Sequence, residues 1–201
     1  MVSEVQTAET APRVAWLDQA TRGLEHNPDL DPLTRAVGGA ARPFNEDGVA
    51  GLLRGEWLGH ALHPLLTDLP LGCWTASIIL DFMPGGARAS RRLIGVGLAA
   101  VPLTAAAGLA EWDTLEDQRV KRVAAVHAIG NTVAALAFGR SWMRRRGGRK
   151  LGGMGWSLLG GSIALATGYL GGHLSFARRA GTGARGIPAE AATPRPIPTS
   201  V

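Results

Sequence analysis

The chain has 201 residues, a formal net charge of +5 and one cysteine. That length suits one domain with a tail at each end, and a lone cysteine excludes both an internal disulfide and a thiolate metal cage. The 28 glycines are roughly twice the usual share, an excess typical of membrane helices. The positive charge falls in short clusters between apolar runs, a loop topology rather than a nucleic-acid footprint. A lipid bilayer, and no nucleic acid, is therefore the expected partner.

Residues 1–56 read as a polar N-terminal segment with interfacial helices. Its first stretch lacks a basic region followed by an apolar one, so no signal peptide is expected and insertion falls to internal spans. "VAWLDQATRGLE" and "EDGVAGLLRGEWLGHAL" carry apolar residues at helical spacing. In the second, Val49, Leu52, Leu53 and Trp57 form an amphipathic stripe suited to the membrane surface. Between these stretches, "NPDLDPLTRAVGGAARPFNEDG" reads as turn and loop from its prolines and Gly-Gly pair. His26 reads as a surface residue.

Residues 57–178 hold four apolar runs, at about 63–83, 93–110, 123–143 and 151–176, each near the roughly 20 residues that cross a bilayer as helix. The first carries Asp68, Pro70 and Asp81; the second has no charge; the third holds His127, Asn131 and Arg140; the fourth is uncharged until Arg178. The second and fourth are apolar all round, which argues against a soluble bundle. Short loops favour antiparallel neighbours. The expected fold is all-α: a four-transmembrane-helix antiparallel bundle, followed by a Pro/Ala/Gly-rich disordered tail over 179–201. Cys73 reads as a small core hydrophobe, and Gly168 with Gly172 as a GxxxG pair for close helix packing.

Arg88, Arg91 and Arg92 follow the first run, and Arg144, Arg145, Arg146, Arg149 and Lys150 follow the third. Basic loops stay in the cytoplasm, so a multi-pass protein of the inner (cytoplasmic) membrane with both termini outside is expected. Trp57 and Trp112 then mark one interface and Trp142 the other.

This topology gathers histidines. His60 and His63 open the first run, His127 lies near the start of the third and His173 near the end of the fourth, so all four fall at one end. Asp68, Glu111 and Asn131 lie at similar depth. Ionisable groups at membrane depth turn inward toward partners or a cavity. Imidazoles from facing helices suit a b-type haem or a borderline transition metal, with Asp68, Glu111 and Asn131 as orienting partners. The same inventory would serve a proton relay. No HExxH motif or phosphate-binding GxxxxGK[ST] loop occurs, so the chain is not expected to be an enzyme by itself.

"GHALHPLLTDLPLGCWTASIILD", "GLAEWDTLEDQRVKRVAAVHAIGN" and "GYLGGHLSFARRAG" resemble the hallmark blocks of a bacterial membrane family, the domain of unknown function 2231. Some members carry a Rieske iron–sulfur domain after the fourth helix, so the resemblance implies a membrane setting and a redox one. The chain departs there, since "GIPAEAATPRPIPTSV" has no paired Cys-His motifs. The leading expectation is a redox-associated membrane module. His63, His127 and His173 would hold a haem, or these with His60 a metal, in support of electron transfer with a Rieske-type or other redox partner. The alternatives are a cofactor-free proton-coupled transporter and a scaffold subunit for a redox partner; either form could homo-oligomerise.

Overall fold

The computed structural model describes residues 15–178 apart from Asp47. The expected disordered tail lies outside the described residues, among which every regular element is helical. Three short helices come first: α1 (Ala15–Glu25), α2 (Asp31–Ala41) and α3 (Val49–Arg54). Four long ones follow: α4 (Leu62–Asp81), α5 (Ala87–Ala110), α6 (Gln118–Arg146) and α7 (Lys150–Gly172), the last running into a π-turn at His173–Ala177.

One element departs from the sequence reading. The stretch expected to be loop contains the 11-residue helix α2. Its breakers are placed where a helix tolerates them. Pro28 and Pro32 both occupy first-turn positions, where a missing N–H costs nothing. Gly38 is held by packing: a Cβ there would stand 2.9 Å from Trp112 Nε1.

The long helices have 20, 24, 29 and 23 residues, enough at about 1.5 Å per residue to traverse a hydrocarbon core. Two of them, Ala87–Thr114 and Gln118–Arg146, are also apolar enough by composition, with mean hydropathies of 2.0 and 1.2. Only 28% of each apolar window is buried within the chain. Their outward faces, with Val96, Leu103, Val133 and Leu136 exposed, are greasier than a water-facing helix would be. His63, Asp68 and Pro70 dilute α4, and repeated glycine dilutes α7.

Each long helix packs along its sequence neighbours, and α7 closes the ring against α4. Helices α4 and α6 therefore face each other diagonally and meet through side chains on the central axis. Three pairs stack there: His63 with His127, Trp74 with Phe138, and Asp81 with Arg145. Asp81 and Arg145 are 64 residues apart, and the same spacing separates the members of the other two pairs.

The partner helices repeat the register at 63 residues rather than 64, because Gly85 follows Asp81 by four residues whereas Gly148 follows Arg145 by three. Gly97 seats Trp74 and Gly160 seats Phe138; Gly108 seats His63 and Gly171 seats His127. A Cβ at these glycines would lie 2.5, 2.9, 2.9 and 2.9 Å from the seated side chain, in that order. Gly85 and Gly148 hold equivalent turn positions at φ +74 and +78, a conformation that favours glycine. The α4–α5 and α6–α7 hairpins are thus two copies of one design about an axis along the bundle. The expected GxxxG pair takes no part, for Gly168 has open space beside it.

Helices α1 to α3 cover the end of the bundle where the histidines lie. Asn45 and Arg54 donate to the carbonyls of Leu109 and Ala110 at 3.1 and 2.8 Å, satisfying C-terminal groups of α5 that have no partner within the helix. Arg122 of α6 donates to Asp31 at 2.7 and 3.1 Å. Asp31 is held down to about 2 from 3.8, first by the Arg122 hydrogen bond and then by Gln118. A lowered carboxylate adds stability that is present above its unfolded pKa and lost as pH falls through the folded one. Thermal unfolding in detergent is therefore expected to show wild type above Asp31→Asn at about pH 5, with the gap closing as pH falls from 3.8 toward about 2. A gap that stays constant over that interval would show that Asp31 does not fasten α2.

Candidate functional site

The histidines expected at one end divide into three environments. His63, in the first turn of α4, donates from Nδ1 to the Thr104 carbonyl of α5 at 2.8 Å. His127 of α6 donates from Nδ1 to the Thr167 carbonyl of α7, also at 2.8 Å. A carbonyl only accepts, so in the neutral ring both Nδ1 atoms carry the proton and both Nε2 atoms keep a lone pair. The two ring centroids are 6.3 Å apart with planes at 85°. The glycine seats let each ring lie against its hairpin partner.

The two nitrogens left over are not equivalent. Asn131, one turn beyond His127, donates from Nδ2 to His127 Nε2 at 3.0 Å, and its carbonyl accepts from the Thr167 hydroxyl at 2.7 Å. The corresponding position after His63 is Thr67, whose hydroxyl turns back to the His63 carbonyl at 2.8 Å. His63 Nε2 therefore has no hydrogen-bond partner among the described residues.

The other expected ligands stand apart. His60 is exposed, and its Nδ1 lies 3.1 Å from the Ala61 carbonyl. His173 sits in the π-turn, where its Nε2 donates to Glu25 at 2.9 Å. Arg178 holds the same carboxylate, through Nε at 2.9 Å and through a terminal nitrogen. Burial pushes Glu25 up, but the bonds from Arg178 and His173 outweigh it and the carboxyl lies below its ordinary value. His173 thus fastens α1 to the end of α7. Glu25 lies 148 residues away in the chain, and no local signal in the sequence marks that pairing.

Asp68 faces outward without a hydrogen bond among the described residues, and Glu111 closes α5 one turn beyond Gly108 with no bond to either imidazole. Of the expected orienting partners, only Asn131 contacts a ring. No group of three or more His, Cys, Asp or Glu side chains capable of holding a metal forms among the described residues. Of the four histidines expected together, only His63 and His127 are brought into ring contact.

Sequence reading missed the middle and far layers. Trp74 stacks on Phe138 with centroids 4.3 Å apart and planes at 13°. Near the arginine-rich end, Asp81 takes two hydrogen bonds from Arg145, both 2.6 Å, and one from Ser90 at 2.8 Å. Arg145 also donates to Ser141 and Ser157, each at 3.0 Å. Both charged side chains are nearly sealed, at 3% and 2% exposure. The signal available was an acid ending one apolar run and a basic cluster ending another on the same side of the bundle.

This helical core coincides with a recognisable family. The model of a family described as "Predicted membrane protein (DUF2231)" matches residues 59–184, which takes in all four long helices. The chain belongs to this family. The DUF2231 region begins just before α4 and includes all three axial pairs, while α1 to α3 precede it. No curated protein and no solved structure matches the chain. The resemblance carried by the histidine and tryptophan blocks is thereby borne out, and the chain is a helical membrane protein.

A haem fits this DUF2231 core poorly. It needs an open slot between its axial ligands, yet the histidine edges fill their glycine seats and Asn131 covers one Nε2. Neither imidazole lines the cleft around Gly48 to Trp57 or the one between the two hairpin turns. A single ion asks for less room, and two oriented imidazoles are the kind of donor it uses.

Proposed function

We propose that α4 to α7 all cross the inner membrane, with the histidine end and both termini outward, and that the His63–His127 pair is a transition-metal site. The observation that carries this reading is the matched Nδ1–H bond on each ring, which fixes the tautomer and aims a lone pair from each Nε2. Ligating histidines are held in this way by carbonyl partners. An imidazole-only set suits copper or zinc better than magnesium or calcium. His63 would engage first, and His127 after Asn131 swings away.

The exposed residues of the Val49–Leu52–Trp57 stripe support a surface-lying α3 beside this site. A redox-active ion there would be reached by a partner docking on the outer face, which gives the family's Rieske fusions a rationale. A through-membrane transporter is less well supported, since the Trp74–Phe138 stack stands between the two polar layers.

Protein purified in detergent and loaded with copper or zinc is expected to hold about one ion per chain by elemental analysis. His63→Ala and His127→Ala should each remove it, whereas Asn131→Ala should keep or tighten it. The same sample should show no Soret band after haem supplementation. If wild type binds no ion stoichiometrically and both alanine variants merely unfold more easily, the pair is structural and the chain is better read as a scaffold subunit.

A further inference from the structure

The arginine-rich end holds a cleft that the histidine site does not explain. It lies between the two hairpin turns, has a volume of about 280 Å³ and is lined by Ala87, Arg88, Arg91, Arg145, Gly148 and Lys150. Four of those six residues are cationic and none is acidic. Arg145 is already committed to Asp81, which leaves Arg88, Arg91 and Lys150 without an ion-pair partner among the described residues. Two long helices also begin here, α5 at Ala87 and α7 at Lys150, and neither has a side-chain hydrogen bond capping its first turn. Free N–H groups and the positive helix ends add to the side-chain charge.

We infer that this cleft binds a phosphate-bearing anion, and the surroundings favour the headgroup of an anionic phospholipid. Phe82 and Met83 lie in the turn before the cleft and Leu151 follows Lys150; they are 69%, 51% and 81% exposed. A free phosphate has no use for such apolar surface, whereas acyl chains descending from a bound headgroup would cover it. Basic pockets between helices at the cytoplasmic side are suited to this recognition.

The test uses the full chain in neutral detergent and reads thermal stability against added short-chain phosphatidylglycerol, short-chain phosphatidylcholine or inorganic phosphate. Phosphatidylglycerol should raise the melting temperature saturably while phosphatidylcholine does not. Arg88→Gln with Arg91→Gln should weaken the apparent affinity roughly thirtyfold, since each basic side chain near an anionic surface contributes about a factor of five. Arg92→Gln with Arg146→Gln, also basic but outside the cleft lining, should change it little. An equal response to inorganic phosphate would keep the anion site and assign it to a free phosphate. No saturable response to either anion, or equal weakening by both double variants, would overturn the inference and leave only diffuse surface charge.

Discussion

Arg145→Leu is expected to destabilise the folded chain by about 3–5 kcal/mol, because it strands a carboxylate inside the bundle. The Asp81 side chain is 2% exposed and takes two of its three hydrogen bonds from Arg145. Ser90 alone cannot replace a bidentate guanidinium. Asp81→Leu should cost a similar amount, since it leaves the guanidinium buried with only serine hydroxyls. The double variant Asp81→Leu, Arg145→Leu should recover most of the loss, because two apolar groups carry no unpaid desolvation. Unfolding titrations in mixed micelles on the two single variants and the double one form a complete cycle. A single variant that loses less than about 1 kcal/mol would show that water already reaches the pair.

Phe138→Ala should cost about 3–5 kcal/mol, the range for removing a large aromatic from a packed interior. Phe138 is wholly buried, stacked on Trp74 and resting on Gly160, where a Cβ would come within 2.9 Å. Neither neighbour can readily fill the hole: Trp74 is itself seated against Gly97, and glycine has no side chain to move. Leu136→Ala supplies the contrast. Leu136 lies on the same helix but is 69% exposed, and in lipid its truncation should stay within about 0.5 kcal/mol, as outward substitutions generally do. Comparable losses at both positions would mean that α6 is covered on its outer side by protein rather than by lipid.

The long helices were legible because hydrophobic run length is a local property, although α5 starts six residues and α6 five residues before the apolar runs expected there. The α2 helix was not legible, because what holds Gly38 in it is Trp112, far along the chain. The histidine end was legible in part. Reading four runs as an antiparallel set brings His63 and His127 to one level, but depth alone does not say which way a side chain turns. His60 turns to the Ala61 carbonyl, His173 to Glu25, and Asp68 outward. The repeat was hidden for a different reason: it keeps its histidines and its glycine seats, but other equivalent positions hold unlike residues, such as Trp74 and Phe138 or Asp81 and Arg145.

That unlikeness reaches the imidazole layer. The backbone treats His63 and His127 as twins, each tied to a carbonyl and resting on a glycine, yet one position after them is threonine and the other asparagine. A visitor arriving at this mouth would meet one open nitrogen and one guarded by an amide latch. The twofold architecture is thereby given a polarity at its imidazole layer, with only one of the two Nε2 atoms bonded by its neighbour one turn on.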